Sequence, residues 1–536
     1  MLSATSAVAS TSPPDAGGKG LLPTPPSDTE RDSYLAPQHR WIALVSYVGY
    51  CLIVASVSFF VMRHPWSAFL AVTAIGTTVS LVTSSRPRRY GLEEHRRNVA
   101  TWSPRCYPSV DVFLPSAGED LAVLGNTYAW VRQLRWPGPL TVHVLDDSAR
   151  PEVAARAAEH GFRYHSRPNR GELKKAGNLR YGFEHSSGDL IAILDADFVP
   201  RPDLLLELAP YFDDAAVGVV QSPQYFDATP AMNWLQRAAG ATQILFYRWV
   251  QPSRDRHNAA ICVGTSALYR RAALDAAGGF AQIGHSEDVH TGVKMMRVGY
   301  HVRYVATVVS KGLCPDSFSQ FVTQQYRWCT GSMSLLFSKD FHRTKMTLMQ
   351  RLCYWSGFLY YITTAINIFV AALPPILMGY FAPDQVHPSN YVFVALAMVS
   401  RQAVIPLITH GRESLLGLAR IQATYSYSHA LALRDVLRGR TDAWVATGSK
   451  GTSKTSVRIH RVAVTWIVLS QLLLWVAIAW HAPHYGFGRY WPMAAFALMS
   501  LYVSYPIALG SATVRTRLRV PGNATAGPNR IAVDAR

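Results

Sequence analysis

Stretches of about 20 consecutive apolar residues constrain this chain more than any other feature, because ~20 residues of helix span a bilayer core. They lie at 41–62 and 66–83, and again at 355–380, 391–409, 461–480 and 491–510. In lipid the backbone must satisfy its own hydrogen bonds, so each stretch is expected to be a helix. His64-Pro65 fits a tight connection between the first two. Six crossings leave one long water-compatible block, 108–340. With 49% hydrophobic and 16% charged residues, the chain suits a membrane protein with one cytosolic domain better than a soluble enzyme.

The charge agrees with this layout. The formal net charge is +18, and much of the excess flanks the apolar spans: Arg86, Arg88, Arg89, Arg96, Arg97, the run from Arg434 to Lys454, and Arg515 to Arg519. Such clusters read as cytoplasmic flanks facing anionic lipid. No nucleic-acid module accompanies them, so a nucleic-acid partner is not expected. The amino terminus, the 108–340 block, the 411–456 segment and the carboxyl tail are then all cytosolic. Arg401 and His410 fall in or near the fourth span; an internal Arg there is costly and tends to face a partner or water.

Residues 1–38 are rich in Ser, Thr, Pro, Ala and Gly, the composition of a disordered tail. They lack the apolar core of a signal peptide. The six cysteines form no Cys-x-x-Cys pair, which excludes zinc-ribbon and thioredoxin readings.

Inside the soluble block, short apolar runs at 110–114, 141–145, 190–194 and 217–220 alternate with amphipathic stretches at 153–160 and 173–186. This pattern predicts an α/β domain, a mostly parallel sheet covered by helices. Two acidic clusters follow such strands: Asp146-Asp147 and Asp195-Ala196-Asp197. The carboxyl ends of parallel strands are where open α/β sheets bind nucleotides. Asp-x-Asp offers hard oxygen ligands to one divalent cation bound to a diphosphate, although a solvated turn has the same sequence.

Three further elements carry chemistry or structure with equal ease in isolation. Lys174-Lys175-Ala176-Gly177-Asn178 sets a phosphate-seeking cation at a turn, or simply starts an exposed helix. Glu287-Asp288 suits a general base or a helix amino-terminal charge pair. Gln324-Gln325-Tyr326-Arg327-Trp328 offers an Arg to a diphosphate and a Trp face to a sugar, or anchors an amphipathic helix at a membrane surface.

Taken in order, these elements resemble the processive family-2 glycosyltransferases of the cellulose synthase type. The matching series is Asp146-Asp147, Lys175-Ala176-Gly177-Asn178, Asp195-x-Asp197, Glu287-Asp288 and Gln324-x-x-Arg327-Trp328. The resemblance implies a GT-A type nucleotide-sugar domain inserted between transmembrane helices. Ser116, Glu119, Asp146, Asp147, Lys175 and Asp195 would hold the nucleotide, and Asp195 with Asp197 the diphosphate and its Mg²⁺ or Mn²⁺. Asp288, beside Glu287, would take the acceptor proton. Gln324, Arg327 and Trp328 would meet the diphosphate and the acceptor, with Cys262 and Gly264 in the stretch lining the acceptor. Trp444, Thr447 and Lys450 would belong to a gating loop over the nucleotide; Lys450 stands one place later than the family pattern.

The implied layout is a tail (1–38), two transmembrane helices (39–85), the catalytic domain (100–340), two helices (350–410), interfacial helices with the gating loop (411–456), two helices (460–511) and a basic tail (512–536). The implied partners are a UDP-sugar, a growing polysaccharide and the lipid bilayer, with accessory export proteins left open. UDP-glucose is the leading donor, and a chitin- or hyaluronan-type use of UDP-N-acetylglucosamine stays open. A non-processive transferase acting on a lipid carrier shares the acidic motifs but usually lacks Gln-x-x-Arg-Trp. A scaffold that has lost catalysis is opposed by the intact Asp195, Asp197 and Asp288. Export of the product makes the plasma membrane the expected location. No cyclic-dinucleotide motif follows the last span, so regulation of that kind is not expected.

Overall fold

Strand alternation places apolar side chains on both faces of a central sheet, and the computed structural model bears this out. It describes residues 22–36, 40–84, 90–227, 232–392, 395–396, 414–440 and 453–510. In chain order the strands are β1 (Val110–Ser116), β2 (Leu140–Asp146), β3 (Arg163–His165), β4 (Leu190–Ile193), β5 (Val199–Pro200), β6 (Val217–Gln221), β7 (Tyr225–Asp227), β8 (Ala267–Arg270), β9 (His301–Tyr304) and β10 (Ser310–Leu313). Seven of them form one sheet in the order β3-β2-β1-β4-β8-β6-β9. Strand β8 is antiparallel to both β4 and β6, and the other pairings are parallel.

Val112 and Leu114 of β1 enter one apolar core, with Tyr128, Val144 and Leu194. Phe113, between them in sequence, enters the core on the opposite face with Leu145, Ile191 and Ile193. Burying each such side chain contributes roughly 1.5–3 kcal/mol. The parallel strands β1, β2 and β4 end on the same side, with Ser116 in register with Asp146. Because β2 and β4 flank β1 on opposite sides, the crevice at their carboxyl ends is a topological switch point.

A second, three-stranded sheet has the order β5-β10-β7. Its strand β5 begins two residues after Asp197. Helix Phe318–Leu336 carries the Gln-x-x-Arg-Trp sequence but shares its core with apolar helices rather than with the sheet: Phe321, Cys329 and Met333 pack with Tyr354, Phe358, Tyr425 and Ile459. Tyr326 donates to Asp435 (3.0 Å), which also accepts from Arg458 (2.7 Å). Helix Phe318–Leu336 is thereby fastened to helices Leu415–Leu437 and Lys454–Tyr485.

Among the described residues, five helical segments are long and apolar enough to cross a membrane: Leu44–Arg63, Pro65–Ser84, Leu348–Phe381, Lys454–Tyr485 and Phe487–Leu509. The third starts earlier than its apolar run suggested and is broken at Ala371-Ala372, just before Pro374-Pro375. The expected span 391–409, with Arg401 and His410, lies mostly outside the described residues, as do Trp444, Thr447 and Lys450, Arg86, Arg88 and Arg89 and the carboxyl tail.

Two expectations need correction. Residues 22–36, read as part of a disordered tail, contain a capped helix at Asp28–Asp32 and bury Tyr34 and Leu35. Charge pairing with Arg96, Arg201 and Lys311 supplies what a weakly apolar segment lacks. Helix Leu415–Leu437, read as interfacial, is instead buried along one side, with Leu418, Ile421, His429 and Asp435 almost wholly enclosed. Its Tyr and Ser side chains line packing surfaces that a composition-based reading takes for a wet face.

Candidate active site

The loops after β1, β2 and β4 meet at the switch point, and each acidic residue there has a distinct environment. Asp146 is fully buried and accepts from the Ser148 and Arg150 amides (both 2.9 Å) and from the Tyr164 hydroxyl (3.1 Å). Its carboxylate ties the turn after β2. Asp147 is gripped by Arg167 through two bonds, 2.6 and 2.8 Å, with both side chains nearly inaccessible. These two aspartates were expected as nucleotide ligands; their carboxylates are instead held by the protein, so they shape the pocket through its backbone.

That pairing explains the small residue in Lys175-Ala176-Gly177-Asn178. A side chain at Gly177 would collide with the Arg167 guanidinium and the Glu172 carbonyl. Asn178 donates to the Leu145 carbonyl (2.6 Å), docking the helix Lys174–Glu184 on the end of β2. Arg167 had no motif to reveal it; its only sequence signal is a basic residue two positions after β3.

Lys175 is the hub. Its Nζ lies 2.5 Å from Asp195 Oδ1, 2.8 Å from the Gly264 carbonyl and 4.0 Å from Glu287. Three segments far apart in sequence therefore share one ammonium. The Asp195 amide donates to Thr265 Oγ1 (2.9 Å), and the Ala196 carbonyl accepts from Thr127 (2.8 Å), so the Asp-x-Asp loop is held on both sides. Glu119 accepts from the Ala117 amide (2.7 Å), and burial raises its carboxyl pKa, with the charge of Asp195 adding to the effect. Ser116 is buried and donates to Asp146 at 3.4 Å.

Burial, reinforced by neighbouring Asp195, pushes Asp197 up to about 7. Burial also raises Asp288, with Glu287 contributing by like-charge repulsion and Lys175 opposing it. The Asp195-Ala196-Asp197 loop places two carboxylates two positions apart, oxygen ligands of the kind a divalent cation takes. Among the described residues no group of three or more metal-ligating side chains occurs. Asp195 and Asp197 would thus leave most positions to a diphosphate and water, which is how Mg²⁺ is commonly bound.

Ser286, just before Glu287, has a left-handed backbone (φ 54°) and lies against Gly331 of helix Phe318–Leu336, where any side chain would overlap it. His290 and Ser334 are bonded at 3.0 Å one turn further along. The two helices therefore approach closely, bringing Arg327 into the field of Asp195 and Glu287. Gln324 is largely buried, and Trp328 packs on Phe198, Phe226 and Cys314. Gly264 also has a left-handed backbone (φ 76°), and an added side chain would press on Asp288. Cys262 needs correction: it is wholly buried, with Sγ 2.9 Å from the Tyr269 hydroxyl, so its thiol does not line an acceptor path.

Residues 190–404 match the family model described as glycosyl transferase family group 2. The chain is 35% identical over 263 residues to a UDP-forming cellulose synthase catalytic subunit from Xanthomonas axonopodis pv. citri, covering 48% of this chain and 36% of that protein. It is 32% identical over 342 residues to the corresponding subunit from Pseudomonas fluorescens, covering 62% and 44% respectively. The chain thus spans less than half the length of these two relatives. Among solved structures, a mannosyltransferase from Pyrobaculum calidifontis is 14% identical with a TM-score of 0.49, covering 69% of this chain and 98% of that one. Over the matched residues the chain is similar to family-2 glycosyltransferases, cellulose synthase catalytic subunits among them, and apolar helices lie on both sides of its α/β domain.

Proposed function

We propose that this chain is a membrane-embedded, inverting glycosyltransferase that polymerises sugar from UDP-glucose into a β-linked glycan and passes it across the membrane. The observation that carries the reading is the shared acid cluster. Lys175 joins Asp195 and Glu287, and the helix bearing Gln324, Arg327 and Trp328 packs against Ser286 beside them. Donor-side and acceptor-side groups thus face one another across a single site.

In this reading Ser116 and Glu119 border the uridine, while Asp146 and Asp147 fix the loop that receives it. Asp195 and Asp197 would hold the divalent cation, Mg²⁺ or Mn²⁺, which when bound would offset charge on the leaving diphosphate. Asp288 accepts the proton of the acceptor hydroxyl. The hydroxyl oxygen bonds to the anomeric carbon as the bond from that carbon to the diphosphate breaks, and UDP departs with the electron pair. Lys175 and Arg327 steady the negative charge on the departing group. Trp328 offers the terminal sugar an apolar face, and Gly264 leaves room above Asp288. The gating role of Trp444, Thr447 and Lys450 belongs to the same reading, as do a plasma-membrane location and a cytosolic catalytic domain.

The test uses the full chain in lipid nanodiscs with Mg²⁺ or Mn²⁺, radiolabelled UDP-glucose or UDP-N-acetylglucosamine, and Asp288→Asn as control. High-molecular-weight polymer from UDP-glucose, absent in the control, is the expected result. Polymer from UDP-N-acetylglucosamine alone would replace the donor. Short or lipid-extractable product would replace polymerisation with single transfer.

A further inference from the structure

The segment 22–36 is bonded to the α/β domain at several points, and its ion pairs converge on two places. The first is Arg201, four residues after Asp197. Arg201 donates to the Pro26 carbonyl (2.7 Å) and to Asp28 (2.8 Å). The second is Lys311 of β10, largely buried and paired with both Glu30 oxygens at 3.2 Å. A capping box between Ser27 and Glu30 holds the Glu30 carboxylate in place: the Ser27 amide donates to it (2.9 Å).

Other contacts fix the segment at its two ends. Asn126 donates to the Pro23 carbonyl (2.9 Å), and the Val308 amide to the Arg31 carbonyl (3.0 Å). Arg96 pairs with Asp32 at 2.6 Å, and Tyr34 meets Tyr225 of β7 edge to face. All three strands of the small sheet, β5, β10 and β7, thus lie next to a residue this segment touches.

The small sheet forms a floor beside the Asp-x-Asp loop. Strand β5 continues directly from the Asp-x-Asp loop through Phe198, whose amide donates to the Asp195 carbonyl (2.9 Å). Gly312, next to Lys311, is covered so closely by the Phe198 ring that no side chain fits there. The same ring packs with Phe226 and with Trp328. A load on Arg201 or Lys311 therefore reaches Asp197 and Trp328 through one or two rigid contacts. Ala36 is separated by only three residues from Arg40, the first residue of the first apolar helix, so the same segment joins that helix to the floor.

We propose that residues 22–36 are a clasp that positions the Asp195–Asp197 loop and Trp328 for transfer, with Glu30 and Asp28 acting through Lys311 and Arg201 as positioning residues. This rests on the polymerising function proposed above. Its ion pairs alternate in sign, with acidic Asp28, Glu30 and Asp32 on basic Arg201, Lys311 and Arg96, and Arg31 between Asp203 (3.6 Å) and Glu207 (3.5 Å). That pattern fixes the register of the clasp on the domain.

The experiment compares the full chain in nanodiscs with an Asp28→Asn, Glu30→Gln variant, and with Glu30→Lys alone and combined with Lys311→Glu. Amide hydrogen exchange is read at 195–201 and 310–314, which needs no turnover, alongside kcat, donor KM and product length. Exchange at both segments should rise about tenfold in the neutralised variant. Polymer should shorten and kcat fall by about fivefold with donor KM unchanged. The Glu30→Lys, Lys311→Glu pair should recover what Glu30→Lys loses. Faster exchange confined to 22–36 would overturn the clasp whether or not any donor is incorporated. Faster exchange at 195–201 in a chain that incorporates neither UDP-sugar would leave the clasp standing as a mechanical device and overturn its role in polymerisation.

Discussion

Lys175 Nζ stands 2.5 Å from Asp195 Oδ1, although 20 residues separate the two in the chain. The ammonium is held by a carboxylate and a carbonyl beside it, so in the proposed function it is a fixed charge that an arriving diphosphate would meet. Lys175→Met should weaken UDP binding by about 1.5–3 kcal/mol, the worth of a charged hydrogen bond. Calorimetry on the Asp288→Asn background would measure this without turnover.

Asp288→Asn should leave nucleotide affinity within about twofold while incorporation falls by at least ~100-fold, the range for loss of a general base. Equal loss of binding and turnover would place Asp288 on the donor instead.

The raised Asp288 pKa gives a signed pH dependence. A base works only when deprotonated, so kcat should rise with pH and level off above the elevated pKa of the folded site. Glu287 contributes to that elevation by its charge. Glu287→Gln should move the acidic limb of the kcat profile to lower pH, whatever it does to the plateau. A limb that moves upward would contradict the assignment.

Asp197 gives a stability prediction of opposite sense. Its folded pKa, about 7, exceeds the ordinary carboxylate value near 4. The group therefore favours folding below that ordinary value and costs stability as pH rises through the folded value. Asp197→Asn should stabilise the metal-free protein at pH 8 by roughly 1–2 kcal/mol after allowance for solvent screening. The gain should vanish near pH 4. Thermal unfolding with chelator at the two pH values checks it, and the same variant should lose polymerisation.

Gly331→Ala should force helix Phe318–Leu336 away from Ser286 and cut turnover by about tenfold or more, since misplacement of about 1 Å can cost ~100-fold. The obstruction is the Ser286 side chain, and its left-handed backbone suits glycine. Adding Ser286→Gly should restore much of the activity. Failure of this rescue would mean that the helix spacing is set elsewhere.

Much of this domain was legible in sequence because the signals were local. Runs at 110–114, 141–145 and 190–194 became β1, β2 and β4, each with side chains alternating between two cores. Antiparallel β8 was not legible, since a strand's direction depends on its partners, and neither was the small sheet built from strands of two to four residues. The acidic motifs pointed to the carboxyl ends of β2 and β4, where the structure places them. They did not reveal that Asp147 is neutralised by Arg167, a pairing set by the crossing of a loop over Gly177. The clasp at 22–36 was missed because its stability comes from opposite charges far away in the chain, which composition cannot express.

The bond from Tyr326 to Asp435 has a kinematic consequence. Trp328 lies on a helix whose packing partners are mainly the apolar helices, whereas Asp195 and Asp197 ride on the sheet. The helix and the sheet meet where Trp328 packs on Phe198, the residue that follows Asp197. In the proposed function the aromatic face for the acceptor and the aspartates for the cation are coupled through one ring, so a shift of the sheet against the helices would be felt at both at once.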